Sequence, residues 1–406
     1  MDFSSTYFVT LTLEYCRLNT HFFGDHAMLI GVPKEIKNHE YRVGLTPAGV
    51  RELSDAGHSI IVQSQAGEGI GCSDDDYGSA GAELLANSEE IFSRADMIIK
   101  VKEPQPNECA MLREGQILFT YLHLAPDPEQ TKLLLASGAT CIAYETVSDK
   151  NGGLPLLAPM SEVAGRMAIQ AAAHCLEKAQ GGAGILLGGV PGVEPANVCV
   201  IGGGVVGLHA ARMAVGLGAD VTILDRSLNR LKEIDETYNG RIKTLFSNTA
   251  NLEKQLREAD VVVGAVLIPG AAAPKLVTRD MLSLMKMGSV MVDVAIDQGG
   301  CFETSRPTTH QKPTYVVDGV IHYCVANIPG AVARTSTMAL TNATLPHVMQ
   351  LANKGAKHAL LDNRHLLDGL NVHKGMLTCK AVGEALKLDV IDAEAALKQD
   401  TLLRMA

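Results

Sequence analysis

Short apolar runs alternate along the chain with stretches whose apolar positions recur at helical spacing. Leu29 to Val32 reads as a strand, and Thr46 followed by Pro47 reads as the N-cap and first residue of a helix reaching about Ala56. Further strands are predicted at Ile60–Val62, Met97–Val101, Gln116–Tyr121 and Cys141–Tyr144, the last after a helix ending near Gly138. Ser161 to Gln180 is a long Ala-rich helical run, and Gly181 to Pro195 is a loop with six glycines and two prolines. A second series follows: a strand at Asn197–Ile201, a helix at Val205–Leu217, and strands at Asp220–Leu224, Ile242–Phe246, Asp260–Val266 and Val290–Ala295. The tail from about Ser336 reads as helical. Such alternation predicts mostly parallel sheets covered by helices. The expected fold is therefore α/β, with two doubly wound lobes, the second inserted into the first. Residues 28–155 and 334–406 would form one lobe and 156–333 the other.

Composition agrees with a large core and narrows the function. The 406 residues suggest two to three domains at roughly 150 each, and 47% are apolar against 20% charged, which excludes intrinsic disorder. The net charge of −10 comes without a basic block, so nucleic acid is disfavoured as a partner. No uncharged stretch has the uninterrupted apolar length of a membrane span: 195–211 is broken by glycines and 335–353 by Thr, Asn and Pro346. Nine widely spaced cysteines without a Cys-x-x-Cys point to reduced thiols, a cytoplasmic location and no metal site.

The first 27 residues have a different texture. Six of the chain's 17 aromatic residues (Phe3, Tyr7, Phe8, Tyr15, Phe22, Phe23) lie there, before Met28 opens the first strand. The segment lacks the basic start and the cleavage site of a secretory signal. It reads as an atypical extension from an upstream start codon, with a regulatory arm as the alternative.

The strongest local motif is Gly202-Gly203-Gly204-Val205-Val206-Gly207, which fits G-x-G-x-x-G between the strand Val198–Ile201 and the helix beginning Leu208-His209-Ala210. Gly202 permits a tight turn, Gly204 lets the backbone approach a pyrophosphate, and Gly207 lets helix and strand pack closely. Val205 and Val206 open the helix, whose unpaired N–H groups attract an anion. Asp225 ends the next strand, where a carboxylate can accept both ribose hydroxyls and repel a 2′-phosphate, favouring NAD over NADP. Arg226 and Arg230 nearby weigh toward the extra phosphate. The ordinary alternative is a structural glycine turn.

In open α/β sheets ligands sit beyond the carboxyl ends of strands. Arg42, Lys102, His123 and Asp297 all occupy such places. Arg42 can grip a carboxylate bidentately, Lys102 can hold it or polarise a C2 carbonyl, His123 can shuttle a proton, and Asp297 can orient water. The set suits a small α-amino or α-keto acid. Singly, each has an ordinary reading: solvated charges for Arg42 and Lys102, a structural histidine for His123, and a turn residue before Gly299-Gly300 for Asp297. The methionines at 281, 285 and 287 read as core, and His322, His347, His358, His365 and His373 as structural.

From Met28 to about residue 398 the chain resembles the L-alanine dehydrogenase family. The resemblance rests on Ile30-Gly31-Val32-Pro33-Lys34-Glu35 through Arg42-Val43-Gly44-Leu45-Thr46-Pro47, on Val101-Lys102-Glu103-Pro104 and Tyr121-Leu122-His123-Leu124-Ala125, and on Leu156-Leu157-Ala158-Pro159-Met160-Ser161. Gly188-Gly189-Val190-Pro191-Gly192-Val193, Asp293-Val294-Ala295-Ile296-Asp297-Gln298-Gly299-Gly300 and Asn327-Ile328-Pro329-Gly330 complete it. The resemblance implies Rossmann-like lobes and the reaction of L-alanine, NAD and water to pyruvate, ammonium and NADH. It implies Arg42 and Lys102 on the substrate and His123 and Asp297 in acid–base roles. The cofactor would be lined by Ser161, Asp225, Arg230, Ser247, Val266 and Leu267, by Val294, Ala295, Ile296 and Asp297, and by Val325, Ala326, Asn327 and Ile328. It also implies a homohexamer. The alternatives are the soluble NAD-binding part of a proton-pumping transhydrogenase, against which the lack of a following membrane segment counts, a non-enzymatic NAD sensor, and a relative of saccharopine dehydrogenase.

Overall fold

The computed structural model describes residues 27–266 and 273–403. The expected extension over residues 1–27 lies outside the described residues apart from Ala27, and so does Leu267. The strands run β1 (Leu29–Val32), β2 (Ser59–Gln63), β3 (Ala82–Leu85), β4 (Met97–Ile99), β5 (Ile117–Thr120) and β6 (Thr140–Ala143) in the first series. The second series is β7 (Asn197–Ile201), β8 (Asp220–Asp225), β9 (Ile242–Phe246), β10 (Val261–Gly264), β11 (Val290–Asp293), β12 (Thr314–Val317) and β13 (Val320–Tyr323). The tail adds β14 (Leu370–His373) and β15 (Met376–Leu377).

Two sheets result. One has the order β15-β14-β6-β5-β4-β1-β2-β3, the other β12-β13-β11-β10-β7-β8-β9. Every pairing from β1 to β6 is parallel, as is every pairing in the second sheet except β12 with β13. In both sheets the order reverses beside the first strand of the series, between β1 and β4 and between β7 and β10. Ligand crevices open at such switch points.

The apolar runs become strands because helices cover both faces. Ile30, Ile60, Met97 and Ile99 face one side of the first sheet, where Leu340, Val348 and Leu351 of the helix Ala333–Asp362 pack on them. Ile61, Ile98 and Leu118 face the other side, against Ile91 and Phe92. Each fully buried side chain of this kind stabilises the fold by about 1.5–3 kcal/mol. The helix Ala158–Cys175 crosses between lobes: Met160 and Val163 sit in the first core, Ala168, Ile169 and Ala172 in the second. A Cβ on its Gly165 would lie 2.2 Å from the carbonyl oxygen of Val206, so this crossing helix packs directly on the helix that the glycine loop opens.

The tail departs from the helical reading. Leu370–His373 pairs antiparallel with β6, and β15 pairs with β14. The strand reads Leu-Asn-Val-His, with buried polar residues where an apolar run would announce a strand. Asn371 donates to Thr146 Oγ1 at 2.8 Å, and His373 Nδ1 pairs with Thr140 Oγ1 at 3.0 Å, so both side chains find polar partners inside. Strands β3, β12 and β13 also lacked a legible signal. Met285 is core as expected, but Met287 is 74% exposed. Among the described residues no helix is long and apolar enough to cross a membrane.

Candidate active site

The glycine loop joins β7 to the helix Val205–Gly216, with Gly204 as N-cap. Gly202 has φ 103°, and a Cβ there would lie 2.7 Å from the Ala265 carbonyl oxygen. A Cβ on Gly207 would lie 1.8 Å from the Gly202 carbonyl oxygen. A Cβ on Gly204 would meet nothing within 4 Å. The first and third glycines are therefore required by the protein itself, whereas the second borders open space at a helix N-terminus. That cradle fits the pyrophosphate of a nicotinamide dinucleotide.

Asp225 stands beside it. Its Oδ2 accepts from Gly203 N at 2.7 Å and its Oδ1 from Ser227 N at 2.7 Å. Arg230 is committed to the loop: Nε donates to the Gly203 carbonyl at 2.6 Å and Nη1 pairs with Glu233 at 2.9 Å. Arg226 is exposed. Ser247, Val266, Val294, Ala326 and Asn327 are at least partly accessible past the ends of β9, β10, β11 and β13, and Ser161 in the first turns of the crossing helix. Ala295 and Ile296 are mostly buried. Val325 is 0% exposed, so its side chain belongs to the core, and only its backbone can face a ligand. A groove of about 330 Å³ near Asn197, Asp220 and Lys243 lies at the opposite, amino ends of these strands.

On the first sheet Arg42, Lys102 and His123 follow β1, β4 and β5. Arg42 is only 2% exposed. Its Nε and Nη2 donate to the two carboxylate oxygens of Glu40 at 2.7 and 2.5 Å. Burial alone would raise the Glu40 carboxyl, but the hydrogen bonds and charge of Arg42 outweigh it and hold the group below its ordinary range. Nη2 also donates to Asn327 Oδ1 at 2.7 Å, and Nη1 contacts Met160 Sδ at 3.1 Å. Glu40 thus takes the Nε–Nη2 edge and Asn327 the second N–H of Nη2, so the bidentate grip expected of Arg42 is closed here and Nη1, beside Met160 Sδ, is the nitrogen left for a substrate. Asn327, at φ 83°, also donates from Nδ2 to Glu40 Oε2 at 3.0 Å, so one amide of the second lobe bonds both members of the buried pair.

Beneath Lys102 lies a charge cluster that the sequence did not announce. The fully buried Lys100 Nζ donates to Glu35 Oε2 at 3.1 Å and to Glu108 Oε1 at 2.8 Å. Glu35 Oε1 accepts the backbone N–H groups of Val101 (2.6 Å) and Lys102 (3.3 Å), which fixes the chain where Lys102 leaves the strand. Burial pushes the Glu35 carboxyl above its ordinary range despite Lys100. The Lys102 ammonium lies 3.9 Å from Glu103 Oε2, while Lys37 bonds Oε1. Burial opposes the Glu103 charge, but Lys102, Lys37 and His123 outweigh it and lower that carboxyl to about 2.

His123 adopts φ 48°, in the left-handed region. Glu145, just past β6, accepts its backbone N–H at 2.6 Å and that of Leu122 at 3.1 Å. The imidazole stacks on Tyr121, with centroids 5.7 Å apart and planes 3° from parallel, and its Nδ1 lies 3.8 Å from Glu145 Oε1. The His123 side chain is 40% exposed. Asp297 lies past β11 in the single turn Ile296–Gln298, exposed, and among the described residues no hydrogen bond ties its carboxylate to the Arg42 group. The structure thus gathers Arg42, Lys102 and His123 on one sheet and places Asp297 at the carboxyl ends of the other. Sequence reasoning missed Glu35, Glu40, Glu103, Glu145 and Met160, which hold the first three in place. Several of them lie inside the quoted motifs, which was the only available signal.

Residues 31–164 match the N-terminal domain and residues 168–380 the C-terminal domain of the family described as Alanine dehydrogenase/PNT. The chain is 66% identical to alanine dehydrogenase of Halomonas elongata over 91% of its length and 100% of that protein's. It is 56% identical to alanine dehydrogenase of Bacillus subtilis, covering 92% of this chain and 99% of the relative. A solved L-alanine dehydrogenase superposes with a TM-score of 0.86 at 52% identity, covering 89% of this chain and 99% of the other. A transhydrogenase from Sinorhizobium meliloti gives 0.74 at 25% identity, covering 87% and 99%. With both family domains matched in order and over half the residues shared with relatives along their full length, the chain belongs to the alanine dehydrogenase family.

Proposed function

We propose that this protein catalyses the NAD-dependent oxidative deamination of L-alanine to pyruvate and ammonium, and the reverse reductive amination. The observation that carries this reading is the gathering of Arg42, Lys102 and His123 at the carboxyl ends of the first sheet, joined through Asn327 to the lobe that bears the glycine loop. The Gly204 cradle and Asp225 would hold the dinucleotide, with Ser161, Ser247 and Val266 around it. When bound, the nicotinamide accepts the hydride from C2 of the amino acid. Asp225 at the end of β8 beside the glycine loop supports NAD over NADP, and Arg230, committed to Gly203 and Glu233, is drawn away from a 2′-phosphate, whereas the exposed Arg226 is not.

The chain's own residues do the rest. Nη1 of Arg42, whose guanidinium is fixed by Glu40 and Asn327, donates to the substrate carboxylate. Lys102, held at its backbone by Glu35, binds the same carboxylate or polarises the C2 oxygen of pyruvate. His123 passes a proton to and from the oxygen at C2 as water adds and the carbinolamine collapses. Asp297 orients that water or takes the amine proton. Closing the two lobes over these groups excludes bulk water, and fixed placement of C2 supplies several kcal/mol of the barrier. We extend the reading to a homohexamer working in the cytoplasm, supported by the family resemblance.

The test is absorbance at the NADH band with NAD and a panel of L-amino acids, and NADP in a parallel series. Turnover with L-alanine and NAD is expected. Undiminished turnover in His123→Gln removes the proton-transfer role assigned to that residue.

A further inference from the structure

Among the described residues no hydrogen bond or ion pair holds the Asp297 carboxylate, so its placement follows from its backbone. That backbone is held from two sides. From inside, the fully buried Asp293 accepts from Ala295 N (3.2 Å), Cys301 N (2.8 Å), Phe302 N (3.3 Å) and Ser305 Oγ (2.5 Å), which draws together the two ends of the turn. From outside, the segment 273–277 runs along residues 298–303. Ala273 N donates to the Gln298 carbonyl at 3.0 Å and Leu276 N to that of Cys301 at 2.7 Å. The carbonyls between and beside them, of Gly299, Gly300 and Phe302, all accept from one group, the ammonium of Lys275, the latter two at 3.0 and 3.2 Å.

The placement is specific. Gly299 and Gly300 have φ 88° and 78°, and consecutive left-handed residues turn carbonyls out of the ordinary ladder, where they need a donor. A Cβ on Gly300 would lie 2.6 Å from Asp293 Oδ2, so the carboxylate presses on the turn opposite the lysine. An ammonium has three N–H donors, and the turn supplies three carbonyls. Lys275 is exposed and packs in no core, so this clamp is its visible work.

We propose that Lys275 is a positioning residue for the reaction: its ammonium, opposing Asp293, locks the 294–302 turn so that Asp297 is presented to the cleft in a single orientation. This rests on the acid–base reading of Asp297 above. Displacing a reacting group by about 1 Å costs on the order of a hundredfold in rate. Lys275→Met, which keeps the stem and removes the donors, is therefore expected to lower kcat roughly ten- to hundredfold, with unchanged thermal midpoint and unchanged KM for L-alanine.

A merely structural lysine is separated by a double-mutant cycle with Asp297→Asn, read by single-turnover NADH formation. Because Lys275 acts through Asp297, Lys275→Met should cost no further factor in the Asp297→Asn background. Multiplicative losses, or wild-type kcat in Lys275→Met beside a slow Asp297→Asn, overturn the proposal and leave the role of Asp297 standing. Wild-type kcat in Asp297→Asn overturns the reading of Asp297 and the proposal with it. A second measurement does not depend on the Asp297 background: ethylammonium should restore Lys275→Ala in the deamination direction by returning a cation to the three carbonyls, and saturating ethylammonium without effect counts against the clamp.

Discussion

Alanine at Gly204 and at Gly207 should produce opposite phenotypes, although the residues lie three apart in one motif. At Gly207 the added Cβ would sit 1.8 Å from the Gly202 carbonyl oxygen and 3.1 Å from Val200 Cγ1. Both are parts of the strand and loop on which the helix rests, so the helix must shift by more than 1 Å or the loop must open. Overpacking of this kind costs about 1–3 kcal/mol or more, a fall in thermal midpoint of roughly 2–4 °C per kcal/mol in a lobe of this size. At Gly204 the backbone is φ −67°, ψ −166°, open to any residue, and the new methyl meets no protein atom. Only the weaker N-capping of Ala is lost, about 1 kcal/mol at most. That methyl instead occupies the space assigned to the pyrophosphate. A steric cost of about 1–3 kcal/mol there weakens NADH roughly five- to a hundredfold, at 1.4 kcal/mol per tenfold. Thermal melts of the ligand-free variants and fluorescence titration with NADH separate the two effects. Wild-type NADH affinity in Gly204→Ala would refute the assignment of the cradle, and a wild-type midpoint in Gly207→Ala would refute the contact.

Two further outcomes follow from buried charge. Glu103, lowered from 4.5 to about 2, contributes stability that is fully present above pH 4.5 and is lost as pH falls toward 2; at about 1.4 kcal/mol per unit this is on the order of 3 kcal/mol. Glu103→Gln should therefore flatten the acid side of a stability–pH curve over that window, and an unchanged acid limb would contradict the Lys37–Glu103–Lys102 arrangement. Glu40→Gln leaves Arg42 buried without its counter-charge, a loss of about 3–5 kcal/mol, and frees the guanidinium to turn. A lower thermal midpoint and a raised KM for pyruvate, with NADH affinity retained, are expected, and a neutral variant would show that the pair does not orient Arg42.

The elements legible in the sequence were those whose signal is local. β1, β7 and β9 match their expected bounds, and Thr46 caps its helix through Oγ1 to Gly49 N at 3.3 Å. The roles of Gly202 and Gly207 followed from a motif whose physics lies within a few residues. Placement of Arg42, Lys102 and His123 past strand ends was equally a matter of position along the chain. Elements whose stability comes from distant partners were not legible. β14 is held by side chains that read as polar surface, and Met287 looked like core beside two methionines that are at least partly buried.

What the sequence by itself determined was the alternation of strand and helix, the dinucleotide turn and the identity of the charged groups at the strand ends, because periodicity, turn stereochemistry and residue type are properties of neighbours in the chain. What only the tertiary structure decided was pairing: Glu40 with Arg42, Glu35 and Glu108 with Lys100, Glu145 with the backbone of His123, and Lys275 with the carbonyls that carry Asp297. A glutamate's letter does not say whether it faces water or a buried cation. That is settled when the reversal of strand order sets the ends of β1 and β4 side by side and the two lobes bring Asn327 onto Arg42, where low dielectric and excluded water turn nearby opposite charges into fixed partners.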